Sequence, residues 1–333
     1  GETYIKGAPE IILSGVTKYI KKDGSVGDFT SEVAEAFNNT SVEQANRSMR
    51  VLAIVKEVGG VKTLVAGVCI RDNVRQGIKE TVRVMNEAGV TVVMVTGDRK
   101  ETAVAIAKEA GIFKSEEDVV LTHDELVALS DEEVKELLPH LKVVSRALPL
   151  DKKRLVNLAQ EIDLVAGMTG DGVNDAPSLK AADIGFSMGD GTQAAQESSD
   201  VVILNNSLTS IEKAVLYGRT MTESVKKFIV FQLTVNVTTI ALALIGPLVG
   251  FKEPFTIIQI LWINLIMDTL AALAFGEEPT LERYMKRPPI GRKENILTNY
   301  MKSAISVSGL FITVISTLLL ANAFKLQQLF DLH

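Results

Sequence analysis

Cysteine is almost missing from this sequence: Cys69 is the only one in 333 residues. One thiol cannot form an internal disulfide, which excludes a disulfide-stapled scaffold and fits a cytosolic or membrane-inner-face chain. Cys69 lies in the apolar run TLVAGVCI and is expected in the core as a small hydrophobe. A basic excess is missing too. Net charge is −6, which argues against a nucleic-acid partner. The first residues, GETYIKGAPE, contain no signal peptide and no initiating methionine, so the chain is expected to be a piece of something longer. No internal repeat or low-complexity tract is visible. Charge, finally, is missing from long stretches of the last third, and that absence divides the chain.

Length alone suggests about two domains. Residues 1–60 hold strand-like GVTKYI and VLAIVKEV around helical DFTSEVAEAFNNTSVEQANRSM, part of a small α/β unit. From about Thr63, strands and helices alternate. TLVAGVCI, VTVVMVTGD, KVVSRA, DLVAGMTGDG, DIGFSM and VVIL are expected strands, VTVVMVTGD a buried one. RQGIKETVRVMNEA, KETAVAIAKEA (ended by Gly111), DELVALSDEEVKELLPHL, DKKRLVNLAQEI, APSLKAA and LTSIEKAVLYGR are expected helices. This alternation predicts an α/β fold with a doubly wound parallel sheet over 61–222, whose ligands sit beyond the carboxyl ends of the strands.

Residues 223–333 are expected to be transmembrane. Phe228–Gly250 and Ala304–Ala321 carry no charge, and Pro254–Phe275 carries only Asp268. Each is long enough to cross a bilayer as a helix, which predicts spans at about 228–248, 255–275 and 303–321 in a lipid bilayer. The first two should form a hairpin around FKEP, with Lys252 at its tip. Lys226 and Lys227 precede the first span, and Arg283, Lys286, Arg287, Arg292 and Lys293 lie between the second and third. The positive-inside rule then makes the chain multi-pass, with its α/β part cytoplasmic.

Three features fall at expected strand ends. The hydroxyl of Thr96 and the backbone of Thr96-Gly97-Asp98 suit a phosphoryl oxygen. Lys152, opening a helix, suits the neutralisation of phosphate charge. MTGDGVNDAP offers Asp171, Asn174 and Asp175, and a carboxylate pair at that spacing suits Mg²⁺, which prefers oxygen ligands and keeps waters. Gly170 and Gly172 permit the turn and Pro177 suits an early helix position. Taken singly, each has a plain alternative: a turn, a surface lysine, another turn. Their order on successive strand-to-helix crossings is far more specific.

The string VTGD…K…MTGDGVNDAPSLKAADIGFSMG resembles the phosphorylation domain of P-type ion-pumping ATPases, members of the haloacid dehalogenase superfamily. KGAPE at Lys6–Glu10 and RVLAIV at Arg50 resemble that family's nucleotide-binding domain, which makes 1–60 its C-terminal part and leaves it incomplete. RDNVR retains Asp72 and Arg75 of a family turn whose prolines are here Asn73 and Val74. The resemblance implies that Asp171 binds Mg²⁺ and that Asn174 and Asp175 support the phosphoryl site. It implies that Thr96, Gly97 and Asp98 hold the phosphoryl group and Lys152 neutralises it. Lys6, Gly7 and Arg50 would contact ATP, with Asp72 and Arg75 nearby. The family's phosphorylated aspartate sits in an Asp-Lys-Thr-Gly-Thr motif that is absent here. It would lie in a missing N-terminal half, together with an actuator domain and four helices, and the isolated chain should be inactive.

In the spans, Asp268 is costly in lipid and reads as functional. Asn264 precedes it by one turn, and Asn236, with Thr234, Thr238 and Thr239 nearby, is the strongest polar group of the first span. Amide and carboxylate oxygens facing each other suit Ca²⁺, although the asparagines have a plain role as interhelical links. QLTVNVTTIAL and LWINLIMDTLAALAFGEEPT are similar to the fifth and sixth helices of calcium pumps, closest to the plasma-membrane type. Thr239 stands where the sarcoplasmic-reticulum type has a glutamate, and Met267 where it has a threonine. The resemblance therefore implies a single transported Ca²⁺ on Asn236, Asn264 and Asp268. Other readings are a pump for Mn²⁺, Na⁺ or H⁺, a truncated product that binds nucleotide or Mg²⁺ without catalysis, and a soluble haloacid-dehalogenase phosphatase, which the apolar spans disfavour.

Overall fold

The computed structural model describes residues 1–71, 73–115, 117–250 and 255–330, with backbone alone over 323–330. Asp72 and the hairpin tip with Lys252 lie outside the described residues. The chain divides into two compact units, Gly1–Glu212 and Lys213–His333.

The first unit opens with β1 (Glu2–Gly7), α1 (Pro9–Ile12), β2 (Val16–Ile20), β3 (Val26–Asp28), α2 (Ser31–Ala45), β4 (Arg50–Val58) and β5 (Val61–Ile70). The strands form one sheet in the order β1-β4-β5-β2-β3. β4 alternates buried and half-exposed residues, and Ala53 and Val55 pack with Val16 and Leu64 beneath Phe29 and Phe37. Gly59 and Gly60 both take positive φ, 57° and 82°. Two such residues close a tight hairpin whose twist suits antiparallel strands, and β4 pairs with β5 from Val58↔Val61 to Arg50↔Ile70. The first sheet therefore runs to Ile70, past the division expected at residue 60. Cys69 is exposed, not in the core. β2 reaches β5 only over residues 62–64, so the far end of β5 is an uncovered edge.

There follow α3 (Ile78–Glu87), β6 (Met94–Val95), α4 (Lys100–Glu109), β7 (Val119–Thr122), α5 (His123–Ala128), α6 (Asp131–Leu137), β8 (Leu141–Ser145), α7 (Pro149–Glu161), β9 (Gly167–Gly170), α8 (Ala176–Ala181), β10 (Ile184–Met188), α9 (Gln193–Glu197) and β11 (Val201–Ile203). Their strands are all parallel, in two sheets ordered β7-β8-β6 and β9-β10-β11. β8 is central and almost wholly buried, as expected of a parallel strand covered on both faces. Leu141 and Val144 pack with Leu126, Val134, Leu155 and Leu158, and Val143 with Ala103 and Ala107 of α4. The expected strand VTVVMVTGD is reduced to Met94–Val95, half-buried, because β6 is an edge strand paired only with β8. The expected helix through DELVALSDEEVKELL is two helices, because Ser130 and Glu133 form a capping box that starts the second.

The second unit is helical. α10 (Leu208–Val249) begins in the first unit and continues without a break, so the expected first span is the distal part of a longer rod. α11 (Ile257–Trp262), a π-helical turn (Ile263–Met267) and α12 (Asp268–Gly276) make the second span, and α13 (Asn299–Phe330) contains the third. All three are long and apolar enough to cross a membrane. Apolar side chains such as Ile257, Leu261, Leu270, Leu310 and Phe311 face outward, which suits hydrocarbon rather than water. α13 meets α10 at Gly309, where an added Cβ would stand 3.3 Å from Val237 Cγ1. A small residue there lets the two backbones approach closely.

Candidate functional site

The polar side chains of interest lie where parallel strands end. β6 delivers Thr96-Gly97-Asp98. The Thr96 hydroxyl donates to Asp98 Oδ2 at 3.2 Å and accepts the Asp98 N–H at 3.2 Å, which closes the turn on itself. The loop after β8 clasps it from the other side. The Arg146 N–H donates to the Asp98 carbonyl at 2.9 Å and the Ala147 N–H to the Thr96 carbonyl at 3.0 Å. Arg146 adopts φ 56°, uncommon for a non-glycine residue, to make that contact.

Arg50, at the start of β4, places Nε 3.9 Å from Asp98 Oδ1. It lines a small cleft with Ser41, Gly97, Asp98, Arg99 and Arg146. Three guanidinium groups, of Arg50, Arg99 and Arg146, thus line the cleft with the Asp98 carboxylate, and Glu10 pairs with Arg146 and stands 4.0 Å from Arg99. Lys6 and Gly7 are not among its lining residues, although the next residue, Ala8, is. Lys6 is exposed on β1. Arg75 donates elsewhere, to the Asn206 carbonyl beyond β11. Arg99 and Arg146 escaped sequence reasoning; the signal was an arginine directly after each of two strand-end turns.

The turn after β9 is built around Asp175. Its Oδ2 accepts the Asp171 and Gly172 N–H groups, each at 3.3 Å, and its Oδ1 pairs with Lys152 Nζ at 2.6 Å. The pair is largely withdrawn from water, with Lys152 at 20% and Asp175 at 10% side-chain exposure. Only glycine fits at 170, since a Cβ would lie 2.4 Å from Asp175 Cβ. Lys152 is set by the start of α7, where Pro149 occupies the first turn and the buried Asp151 accepts the Leu148 N–H at 2.7 Å and contacts His123 Nδ1 at 2.7 Å. Asn174 and Asp171 are exposed, and the Asp171 carboxylate has no partner among the described residues. No group of three or more His, Cys, Asp or Glu side chains gathers as a metal cage among the described residues. A free carboxylate at a strand end suits Mg²⁺, which takes one or two carboxylates and completes its shell with water and phosphate oxygens.

The structure thus joins Thr96 to Asp98, Arg50 to Asp98 and Lys152 to Asp175. No hydrogen bond links the Thr96–Asp98 turn to the Lys152–Asp175 pair among the described residues. The turns lie at β6 and β9, each the outer strand of its sheet.

In the helical unit, Gln232 Nε2 donates to Asp268 Oδ2 at 2.8 Å. Phe231 and Phe275 pack beside this contact with ring centroids 6.1 Å apart, and Lys227 pairs with Glu278 at 2.6 Å. Gln232 Oε1 and Asp268 Oδ1 are buried with no hydrogen-bond partner among the described residues. Asn236 is half-buried one turn beyond Gln232, and Asn264 is exposed within the π turn. Neither is hydrogen-bonded to Asp268 among the described residues. Thr234 donates to the Val230 carbonyl at 2.7 Å and Thr238 to the Gly309 carbonyl at 3.4 Å, so their hydroxyls serve helix backbones.

Residues 14–183 match the family model for haloacid dehalogenase-like hydrolases, and residues 252–330 match that for the C-terminus of cation-transporting ATPases. Similar proteins include calcium-transporting ATPase 8, plasma membrane-type, of Arabidopsis thaliana, 38% identical over 96% of this chain and 32% of that protein. Calcium-transporting ATPase 2, plasma membrane-type, of the same plant is 40% identical over 90% of this chain and 31% of its own length. A probable calcium-transporting ATPase 8, plasma membrane-type, of Oryza sativa subsp. japonica is 39% identical over 92% and 32%. The chain spans about a third of the length of the curated relatives it matches.

Proposed function

We propose that this chain, which belongs to the haloacid dehalogenase-like hydrolase family, is the C-terminal part of a P-type pump that uses ATP to move Ca²⁺ across a membrane. The observation that carries the reading is the pair of open strand edges. β6 and β9 each end in a phosphate-suited turn, and each lacks a strand on its outer side among the described residues. A further parallel strand between them, from outside residues 1–333, would carry the acceptor aspartate to Thr96 on one side and Asp171 on the other. In this reading residues 1–60 belong to the nucleotide-binding domain, whose sheet runs on to Ile70, the phosphorylation domain follows to residue 222, and 223–333 form the membrane domain. The α/β part is cytoplasmic.

Phosphoryl transfer is governed by positioning and by charge compensation. Arg50 and its arginine neighbours receive the nucleotide phosphates. Lys152 exchanges part of its contact with Asp175 for the phosphoryl oxygens, and Asp175 keeps Lys152 extended into the site beforehand. The Thr96 hydroxyl and the Gly97 backbone hold the transferred group. Asp171, with Asn174 and Asp175 behind it, would hold Mg²⁺, which when bound supplies positive charge at the phosphoryl oxygens. The transported Ca²⁺ binds at Asp268 with Asn236 and Asn264, and further ligands come from helices outside this chain.

The experiment is made on the complete pump. Asp268→Asn is expected to abolish Ca²⁺-stimulated ATPase activity, and Ca²⁺ stimulation equal to the parent's would overturn the assignment. The chain 1–333 alone is expected to form no hydroxylamine-sensitive phosphoprotein from ATP, and trapping one would show that the acceptor lies within it.

A further inference from the structure

Several polar side chains in the spans have their bonding explained by the helices. Thr234, Thr313 and Thr317 return their hydroxyl protons to the preceding turn, and Thr238 bonds across to α13. Gln232 and Asp268 do not. A carboxylate has room for about four donors and an amide oxygen for two. Here one N–H joins Gln232 to Asp268, and the two remaining oxygens, Gln232 Oε1 and Asp268 Oδ1, are shut off from solvent without a hydrogen-bond partner among the described residues. No basic side chain pairs with Asp268 among the described residues.

An enclosed carboxylate oxygen with no donor is unfavourable, and a cation can complete it. Both empty atoms are acceptors, so a second acceptor does not satisfy them. A carboxylate oxygen and an amide carbonyl oxygen are also the ligand types that a hard divalent cation takes. Gln232 lies one turn from Asn236 on the same face of α10. The Gln232 N–H fixes one carboxylate oxygen of Asp268 and thereby directs the other.

We propose that Gln232 belongs to the ion site, its amide nitrogen orienting Asp268 and its amide oxygen acting with Asp268 Oδ1 as a ligand to the transported cation. This rests on the reading of Asp268 as the transport carboxylate. Gln232 is then both a positioning residue and a ligand, and Asn264, exposed in the π turn, contributes less than its spacing suggested.

The test uses the complete pump and Ca²⁺ itself. Gln232→Met keeps chain length and packing but removes both amide functions. Gln232→Asn keeps the amide and withdraws it by one methylene. Loss of a metal ligand or of the partner that orients one costs about 10- to 100-fold in affinity. The Ca²⁺ concentration for half-maximal ATPase activity is therefore expected to rise by at least roughly 10-fold in both variants, with a much smaller change in the rate at saturating Ca²⁺. A residue that only links helices would lower maximal rate and protein yield together and leave half-activation in place. Gel filtration in detergent identifies a variant that fails to fold, and the other then decides. Parent-like half-activation in any folded variant overturns the proposal. Asp268→Asn is run in parallel. If it leaves Ca²⁺ activation unchanged, the reading of Asp268 fails; if it abolishes activation while Gln232→Met is parent-like, only the role of Gln232 fails.

Discussion

Removing the Lys152 charge should destabilise the first unit more than removing its partner's. Lys152 Nζ lies 2.6 Å from Asp175 Oδ1, with side-chain exposures of 20% and 10%. In Lys152→Met the Asp175 carboxylate loses its only cation among the described residues and keeps two N–H donors at 3.3 Å. Breaking a fully buried pair by deleting one partner costs about 3–5 kcal/mol, and those two donors and the residual exposure bring the expectation to about 2 kcal/mol. In Asp175→Asn an amide oxygen still accepts from Asp171 and Gly172, and the freed ammonium can reach water along its own stem, so the cost is about 1 kcal/mol. For a unit of this size 1 kcal/mol moves the midpoint by about 2–4 °C, giving losses of about 4–8 °C and about 2–4 °C. Calorimetry of the whole chain in detergent reads the midpoints, and hydrogen exchange over β9 and α7 locates the change. A larger loss in Asp175→Asn than in Lys152→Met, or a parent-like midpoint in Lys152→Met, would refute the reasoning.

Three further outcomes are expected. The Lys100 ammonium, and then the Thr122 N–H, hold the Glu125 carboxyl below its ordinary range. A lowered folded value means that the stabilisation is present above the unfolded value, about 4.3, and is lost as pH falls through the folded one. Hydrogen-exchange protection of α5 should therefore fall below about pH 4 in the parent and change little there in Glu125→Gln; equal acid sensitivity would contradict it. In the complete pump, Asp171→Asn should raise the Mg²⁺ concentration needed for phosphorylation by ATP, and an unchanged Mg²⁺ dependence would reject the ligand role. Gly309→Leu should force α13 from α10, since even a Cβ comes within 3.3 Å of Val237, at a cost of about 1–3 kcal/mol. A parent-like melting midpoint in detergent would show that the helices part freely.

The parts of the fold that followed from local rules were legible. Gly111 and the three apolar spans stand where period and caps put them. MTGDGVNDAP was legible as a turn because glycine is compulsory at 170. Pairing was less so. Gly59-Gly60 is a hairpin signal, but the alternation after it reads equally well as the start of a new domain. The length of β6 depends on what lies on its outer side, which no residue within Val90–Asp98 reports. The Lys152–Asp175 contact joins the start of α7 to the turn after β9, 23 residues on, so neither residue announces the other. In the spans, Asp268 stood out through its charge while Gln232 passed as an ordinary polar residue. The hydroxyls of Thr234 and Thr238 are spent on carbonyls of helix backbone.

The π turn at Ile263–Met267 sets the phase of the second span. It holds one residue more than an α-helix of the same rise would need. Each residue turns an α-helix by about 100°, so rewinding the same residues as α would swing Asp268 by about that angle relative to Trp262. The carboxylate would leave Gln232 although every polar side chain had been kept. Winding along this span is therefore as much a determinant of the polar contact as composition, and deleting one apolar residue of the turn, which lets it close to α with its ends in phase, should keep Asp268 toward Gln232.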